Sequence, residues 1–501
     1  QHCLGGFVAK WLARWITSWL SGKFAMAPPR ESRYDKKIWE VVDTLISILT
    51  VPFLHAISLF GSCYWITTFD KSAFLFMFMR FAVLGPIFFI LAFVLSPFAL
   101  VGYILWVLLN SYVNIQPFYS VSSSQSRYPS EGHYCQSKFT LCSANLLLCL
   151  EIIGRINNNR NVYWRVNEIA RRLLHQNPLL NLNQNLQSPV NREDIVQSKL
   201  PEVNVFILQE VFLRLFGSQL IKHLKHKYPY IIYDVGIHRM DTNFCLLGSG
   251  LFLASEYPIL EANFHPFTYN TSYGKLICYG VLLVKLDLGS LKKNDVDMQA
   301  VGYVANTHTQ AFQGKDQVLV HQLEEVRLWM KSFIRDTHNA DSEIVVFAVI
   351  GGDFNCDNMS SGDRGTQVLP LWNEYEDPCR VCAGDDQPWT IGTEHRQRML
   401  HHPLVQNPET FRKILLDDIQ RRRYILDATV KEQQLDMMWI APSLDPSGAL
   451  HPLREGGRRR IDHLIVRYGD EVSPSAFWFS TVIAGLTDHI PVALMLERKQ
   501  Y

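Results

Sequence analysis

Two histidines and a few acidic or amide residues stand at the ends of apolar runs, where side chains can meet at one edge of a sheet. His489 follows Asp488 in Thr487-Asp488-His489, and His308 lies in Thr307-His308-Thr309-Gln310. Imidazoles move protons near neutral pH, and a carboxylate such as Asp462 can orient one, as in hydrolytic triads. Glu210, in Gln209-Glu210, is the first choice as ligand for a hard cation such as Mg²⁺, which takes oxygen donors and needs only one or two carboxylates. Asp353 and Asp488 are further carboxylates, and Asn145 in Ser143-Ala144-Asn145 offers an amide. Asp353 and Asn355 belong to Gly351-Gly352-Asp353-Phe354-Asn355, which taken alone is also good turn chemistry. Singly, each residue has a plain reading as a solvated loop or turn residue. As a set they suit metal-assisted acid–base chemistry.

The elements that must position them are short and apolar. Val203 to Leu208 and Ile344 to Ile350 have the length and β-branched content of buried strands, and Val301 to Asn306 alternates. All three carry their chemistry at the exit. Asp462, near the start of Arg460 to Val466, and Asp488-His489, before Pro491 to Leu496, carry it at the entry. One shared edge then requires the later strands to run antiparallel to the earlier ones. That excludes a doubly wound parallel sheet, whose ligands sit at strand exits only. The expected fold is α/β, with two packed sheets and flanking helices.

Of 501 residues, 48 % are hydrophobic and 19 % charged, and the shortage of charge sits in the first 126. No residue from 44 to 69 or from 81 to 126 carries a fixed charge, and each stretch exceeds the roughly 20 apolar residues that a bilayer core requires. Pro86 and Pro97 lie in the second. Residues 1–118 are therefore read as a membrane-associated region with apolar segments at about 44–69 and 81–113. Residues 119–132 read as a linker, and 133–501 as the catalytic domain. Within that domain, Asn/Gln-rich 177–197 reads as a flexible insertion and 396–444 as a surface insertion near the active face. Trp11, Trp15 and Trp19, four apart among basic residues in 7–24, suit an interfacial helix, with a plain packed amphipathic helix as the alternative. Arg30, Arg33, Lys36 and Lys37 before the first segment, and Lys71 and Arg80 in the link between segments, favour the cytosolic side for the domain. Net charge is +1, and the runs Arg421 to Arg423 and Arg458 to Arg460 read as solvated faces, so nucleic acid is not an expected partner. Ten irregularly spaced cysteines give no disulfide framework, Cys379-x-x-Cys382 has no answering pair, and Cys63 and Cys3 read as buried thiols or acylation sites.

The order Asn145, Gln209-Glu210, Thr307-His308, Gly352 to Asn355, Arg460-Ile461-Asp462 and Thr487-Asp488-His489 resembles the deoxyribonuclease I-like superfamily of metal-dependent phosphoesterases. Longer strings narrow the resemblance to vertebrate neutral sphingomyelinases: Leu208 to Phe212, Tyr233 to Gly236, Asp377 to Arg380, Pro388 to Thr393 and Gly485 to His489. The apolar N-terminal hairpin is similar as well. The resemblance implies a two-sheet sandwich and Mg²⁺-dependent hydrolysis of sphingomyelin, with Mn²⁺ as a substitute metal and anionic phospholipids as candidate activators. It implies an intracellular membrane of mitochondria, endoplasmic reticulum, Golgi or plasma membrane. It gives Glu210, Asn145 and Asp488 to the metal shell and Asp353 and Asn355 to the water and phosphoryl oxygen. His489 becomes the base, oriented by Asp462, and His308 stabilises the phosphorane. The family's Lys in a Lys-Gly string is here Tyr279, in Cys278-Tyr279-Gly280, with Lys275 nearby as a substitute reached by a loop shift. A missing charge donor of this kind costs about 10²–10³ in rate. The rival readings are another reaction of the same fold, on DNA or inositol lipids, and a weakly catalytic lipid-binding scaffold.

Overall fold

A computed structural model describes residues 29–70, 74–113, 115–122, 134–182, 186, 190–237, 245–293, 296–311, 313–314, 316–429 and 456–499. The interfacial segment 7–24, Cys3, Lys71, residues 123–132 and the stretch 430–444 fall outside these.

The strands are β1 Tyr119–Ser122, β2 Lys138–Leu148, β3 Val196–Gln197, β4 Val205–Val211, β5 Tyr230–Tyr233, β6 Phe252–Ser255, β7 Ile259–Pro266, β8 Gly280–Lys293, β9 Val296–His308, β10 Glu343–Asp353, β11 Tyr375–Glu376, β12 Arg380–Cys382, β13 Asp385–Asp386, β14 Asp462–Arg467, β15 Val472–Ser480 and β16 Val492–Arg498. One sheet runs β1-β5-β6-β4-β2-β16-β15-β3, the other β11-β14-β10-β9-β8-β7, and β12-β13 is a separate hairpin. β9 is parallel to β10 and β4 to β2, whereas β14 is antiparallel to β10 and β16 to β2. This is the reversal that exit and entry chemistry required.

Period-two alternation divides each strand between two cores. Leu141, Val205, Ile207, Val304, Val349 and Leu464 point between the sheets. Their neighbours Cys142, Phe206 and Leu208 pack on the helices Val162–Leu173 and Arg214–Leu224. Ala305, Ala348 and Ile350 pack with Leu323, Val326 and Met330 of the helix Val318–Thr337. The result is a two-sheet sandwich with helices on both outer faces. The fold class is the expected one.

Lys37–Tyr64 (α1) and Gly85–Tyr112 (α2) form a packed pair, the latter continuing a helical run from Leu75. Both are long and apolar enough to cross a membrane, and Ile48, Phe93 and Leu100 are exposed. An apolar surface of this extent marks membrane association. Pro97 lies inside α2, and the reversal of direction falls between the helices instead. There Asp70 pairs with Arg80 at 2.9 Å and with Arg155 of the sandwich domain at 2.8 Å. The hairpin is seated on the sandwich along α1. Asp43 accepts from Arg214, His55 meets Tyr163, Ser58 accepts from the Ile152 amide, and Thr68 bonds Asn158.

Five sequence readings are corrected. Tyr119–Ser122 is an edge strand paired with Tyr230–Tyr233, so the supposed linker begins inside the sheet. The 177–197 insertion ends in a capped turn and a strand, with Ile195 and Val196 buried in the core and β3 parallel to β15. From the 396–444 insertion, the helix Pro408–Leu416 buries Phe411 and Leu415 in the inter-sheet core, with Tyr424. The basic runs are mostly not solvated: Arg421, Arg422, Arg458, Arg459 and Arg460 are buried, and Arg423 is exposed. Arg460 meets Asp377 at 2.9 Å and Asp386 at 3.1 Å, partners more than 70 residues away in sequence. Arg33, read as a membrane flank, is also buried, beside Asp234. Cys63 and Cys379 are buried and Cys382 is exposed, all as free thiols.

Candidate active site

Strand register brings the chemistry to one edge. Asp353 ends β10 directly opposite His308 at the end of β9 and Asp462 at the start of β14. The other sheet supplies Asn145 on β2, paired with Gln209 on β4, and the segment leading into β16 supplies Asp488 and His489. A bulge follows Asn145, with Leu147 at φ 49° and Glu210 at φ 59°. Such left-handed backbone in a non-glycine residue costs of order 1–3 kcal/mol and collects at functional sites. Asn355 is left-handed too, at φ 49°. Gly352 has φ 152°, and a Cβ there would stand 1.9 Å from the Thr307 carbonyl oxygen, so the approach of β10 to β9 beneath Asp353 requires glycine.

Buried amides tie the two sheets together just under this edge. Gln209 Nε2 donates to Asn306 Oδ1 at 2.9 Å, and Asn306 Nδ2 donates to the carbonyls of Leu208 and Phe252, both at 3.0 Å. Arg165, fully buried, donates to the carbonyls of Leu147 at 2.8 Å and Leu486 at 2.5 Å, and so joins the bulge to the loop that carries Asp488. Thr393 Oγ1 accepts from the amides of Ile461 and Asp462 and fixes the start of β14.

His489 Nδ1 lies 2.9 Å from Asp462 Oδ2, and its Nε2 lies 3.7 Å from Asp353 Oδ2. Burial works against the charged ring, but the carboxylates of Asp462 and Asp353 outweigh it and raise the His489 pKa well above the usual histidine value. His308 Nε2 sits 3.5 Å from the same Asp353 oxygen, and burial lowers its pKa to about 4, so it stays neutral. The ring of Tyr279 packs edge-on against His308 with centroids 5.1 Å apart. The two imidazoles therefore differ in charge across one carboxylate.

Glu210 and Asp353 share one donor: Asn145 Nδ2 lies 3.0 Å from Glu210 Oε1 and 3.0 Å from Asp353 Oδ2. Asn145 Oδ1 accepts from the Leu147 amide at 3.1 Å. Asn145 thus donates to both carboxylates, with its oxygen on the Leu147 amide. The reason is that carboxylates only accept, which fixes the amide's orientation. The Glu210 carboxyl is pushed up to about 7, first by burial and then by the charge of Asp488. Asp488 Oδ1 is buried without a partner. Crowded carboxylates, one raised in pKa and one with an orphaned oxygen, fit a hard divalent cation between Glu210 and Asp488. Asp353, Asp462 and His489 also present donor atoms within 4.8 Å of one another, but Asp462 and His489 are engaged with each other.

Asn355 gives its side-chain N–H to the Thr309 carbonyl at 2.9 Å, and its backbone amide caps Asp353 Oδ1 at 3.0 Å. Lys275 stands exposed on the turn Ser272–Leu276 and, among the described residues, makes no hydrogen bond or ion pair with the site. Tyr273, on the same turn, has its pKa raised first by burial and then by the charges of Glu210 and Asp353. Sequence reading missed Tyr273, and it missed Glu394. The latter bridges His489 through the backbone and pairs with Arg459 at 2.7 Å. The string Ile391-Gly392-Thr393, which enters this bridge, was the signal that could have found Glu394.

No family model matches the chain. It is 34 % identical over 302 residues to sphingomyelin phosphodiesterase 3 of Mus musculus, covering 58 % of this chain and 44 % of that protein. It is 30 % identical over 418 residues to sphingomyelin phosphodiesterase 5 of Mus musculus, covering 80 % of this chain and 81 % of that one. The chain spans about half the length of the first of these relatives. Among solved structures, SmcL aligns over 72 % of this chain and 99 % of its own at 18 % identity, with a TM-score of 0.38, too loose a likeness to add to the strand order. With the alignment to the second relative running through about four fifths of both proteins at 30 % identity, the chain belongs to the sphingomyelin phosphodiesterase family.

Proposed function

We propose that this protein hydrolyses sphingomyelin to ceramide and phosphocholine at a membrane surface. The observation that carries the reading is the His489–Asp462 pair, with Nδ1 held at 2.9 Å and Nε2 turned toward Asp353 beside the Glu210 and Asp488 carboxylates. Mg²⁺, with Mn²⁺ as a substitute, would be held by Glu210 and Asp488, with Asn145 as an outer donor, and would supply Lewis-acid stabilisation of phosphoryl charge. Once the carboxylate charge that raises the His489 pKa is offset by a bound cation, the neutral ring accepts the proton of the attacking water at Nε2, with Asp462 holding it in the tautomer that permits this. Asp353 steers that water through its free lone pairs. His308 remains neutral and can donate to a phosphoryl oxygen without first losing a proton to Asp353. Asn355 keeps a second amide hydrogen for the same oxygen.

The apolar hairpin supplies the lipid surface, and anionic phospholipids are the candidate activators. Arg30, Lys36 and Lys37 before α1 favour a cytosol-facing catalytic domain on an intracellular membrane. Nucleic acid is not an expected partner, since the buried arginines leave no basic stripe there. Full-length protein carrying Glu210→Ala or His489→Ala is expected to lose metal-dependent release of phosphocholine from labelled sphingomyelin. A panel with inositol lipids and abasic DNA tests the substrate. Activity retained by either variant, or a preference for another substrate, defeats the proposal.

A further inference from the structure

Asp488 is gripped by a segment that sequence reading assigned to a surface insertion. The His395 amide donates to the Asp488 carbonyl at 2.8 Å, and Gln397 Nε2 donates to Asp488 Oδ2 at 3.2 Å. Gln397 Nε2 also donates to Asn157 Oδ1 at 3.1 Å. Both acceptors are oxygens and one is a carboxylate, so the amide nitrogen must face them. This donor leaves Asp488 Oδ1, buried and unpartnered, as the oxygen free to take a ligand, on a carboxylate near enough to raise the Glu210 pKa. Gln397 is itself held from behind: its backbone carbonyl accepts from Asn158 Nδ2 at 2.7 Å. Asn158 is left-handed at φ 56°, a conformation that asparagine tolerates better than most residues. Its side chain closes on the turn between the apolar helices, accepting from the Thr68 amide at 2.7 Å and donating to Thr68 Oγ1 at 2.9 Å. An unbroken string of hydrogen bonds thus runs from the hairpin turn through Asn158 and Gln397 to Asp488.

We propose that Gln397 is a positioning residue that aims Asp488 at the divalent cation, and that Asn158 and Thr68 hold Gln397 in place. This rests on the reading of Asp488 as a ligand given above. Outer partners of ligating carboxylates fix their direction, and their loss costs typically about 10–100-fold in metal affinity. Gln397 touches neither water nor phosphate in this arrangement; it acts through Asp488.

The test is Mn²⁺ binding to the metal-stripped full-length protein in detergent, read by electron paramagnetic resonance, so that it depends on no substrate. Gln397→Met keeps the side chain's length and removes its donor. Binding is expected to weaken about tenfold or more, with the unfolding temperature of the metal-free protein unchanged. Asn158→Asp keeps the acceptor for Thr68 but loses the donor to the Gln397 carbonyl, and a smaller loss in the same direction is expected. The concentration of Mg²⁺ for half-maximal hydrolysis should rise in parallel, with maximal rate recovered at saturating metal. Unchanged Mn²⁺ affinity in Gln397→Met overturns the proposal, as does a loss of affinity that only tracks a loss of folded protein. If Asp488→Asn binds Mn²⁺ as tightly as the wild type, the ligand assignment fails and the role of Gln397 fails with it. If Mn²⁺ behaves as expected but sphingomyelin is not cleaved, only the substrate reading fails.

Discussion

Replacing Asn306 with alanine tests whether buried amides hold the two sheets in register beneath the catalytic edge. Asn306 is fully buried two residues before His308, and its partner Gln209 directly precedes Glu210. The substitution strips a donor from the Leu208 and Phe252 carbonyls and an acceptor from Gln209. Gln209 Nε2 retains the Ile207 carbonyl at 3.1 Å and Ser143 Oγ at 3.3 Å, so it is not orphaned. The expected cost is about 3 kcal/mol: two carbonyls at roughly 1 kcal/mol each and a small cavity at about 1 kcal/mol. Chemical denaturation in detergent measures it. A double-mutant cycle with Gln209→Ala isolates the contact between sheets, with a coupling expected above about 0.5 kcal/mol. Because a displacement near 1 Å can cost about 10²-fold in rate, turnover should fall more than the folded fraction does. A cost below about 1 kcal/mol together with strict additivity refutes the reasoning, since the sheets would then be held by apolar packing alone.

Other outcomes follow from the same geometry. Asp462→Asn should leave the fold intact and lower kcat by about 10⁴, the loss expected when an imidazole is held in the wrong tautomer, measured as sphingomyelin turnover. Metal-free protein should lose thermal stability as pH rises from about 4.5 to about 7, because the Glu210 pKa is raised from 4.5 to about 7 and its favourable protonated form is lost across that window; Mg²⁺ should reverse the trend. Asp70 behaves oppositely. Burial opposes its charge, but the Thr67 amide and the two arginines prevail and bring its pKa down to about 2, so docking of the hairpin should weaken as pH falls through about 4 to 2, read by protease accessibility of residues 65–70. Tyr279→Lys would return positive charge beside Glu210 and Asp353, and a rise in turnover is expected; an unchanged rate would mean that Tyr279 already suffices.

The sheet arrangement was legible because chemistry sits at exits of some apolar runs and at entries of others, and only antiparallel pairing reconciles the two. The register of Asp353 with His308 and Asp462 follows from that pattern. The direction of the Asn145 amide was not legible, since it depends on a bulge that brings Leu147's amide to its oxygen. The burial of Arg458, Arg459 and Arg460 was not legible either. A run of three arginines looks solvated until Asp357, Asp363, Asp377 and Asp386 arrive from about 70 to 100 residues away to neutralise it. Gln397 carried no signal at all, because a helical, charge-rich neighbourhood hides a single amide whose partner is 91 residues distant.

The seating of α1 along the sandwich bears on how substrate is found. Asp43, His55 and Ser58 of the helix, and Thr68 in the turn that follows it, touch the sandwich domain. An enzyme on a slack tether samples many tilts and loses most encounters to misorientation. On the proposed reading, these contacts hold the site at one attitude to the membrane that takes up the helix pair, and loosening them is expected to slow turnover of membrane-borne lipid without altering a single catalytic group.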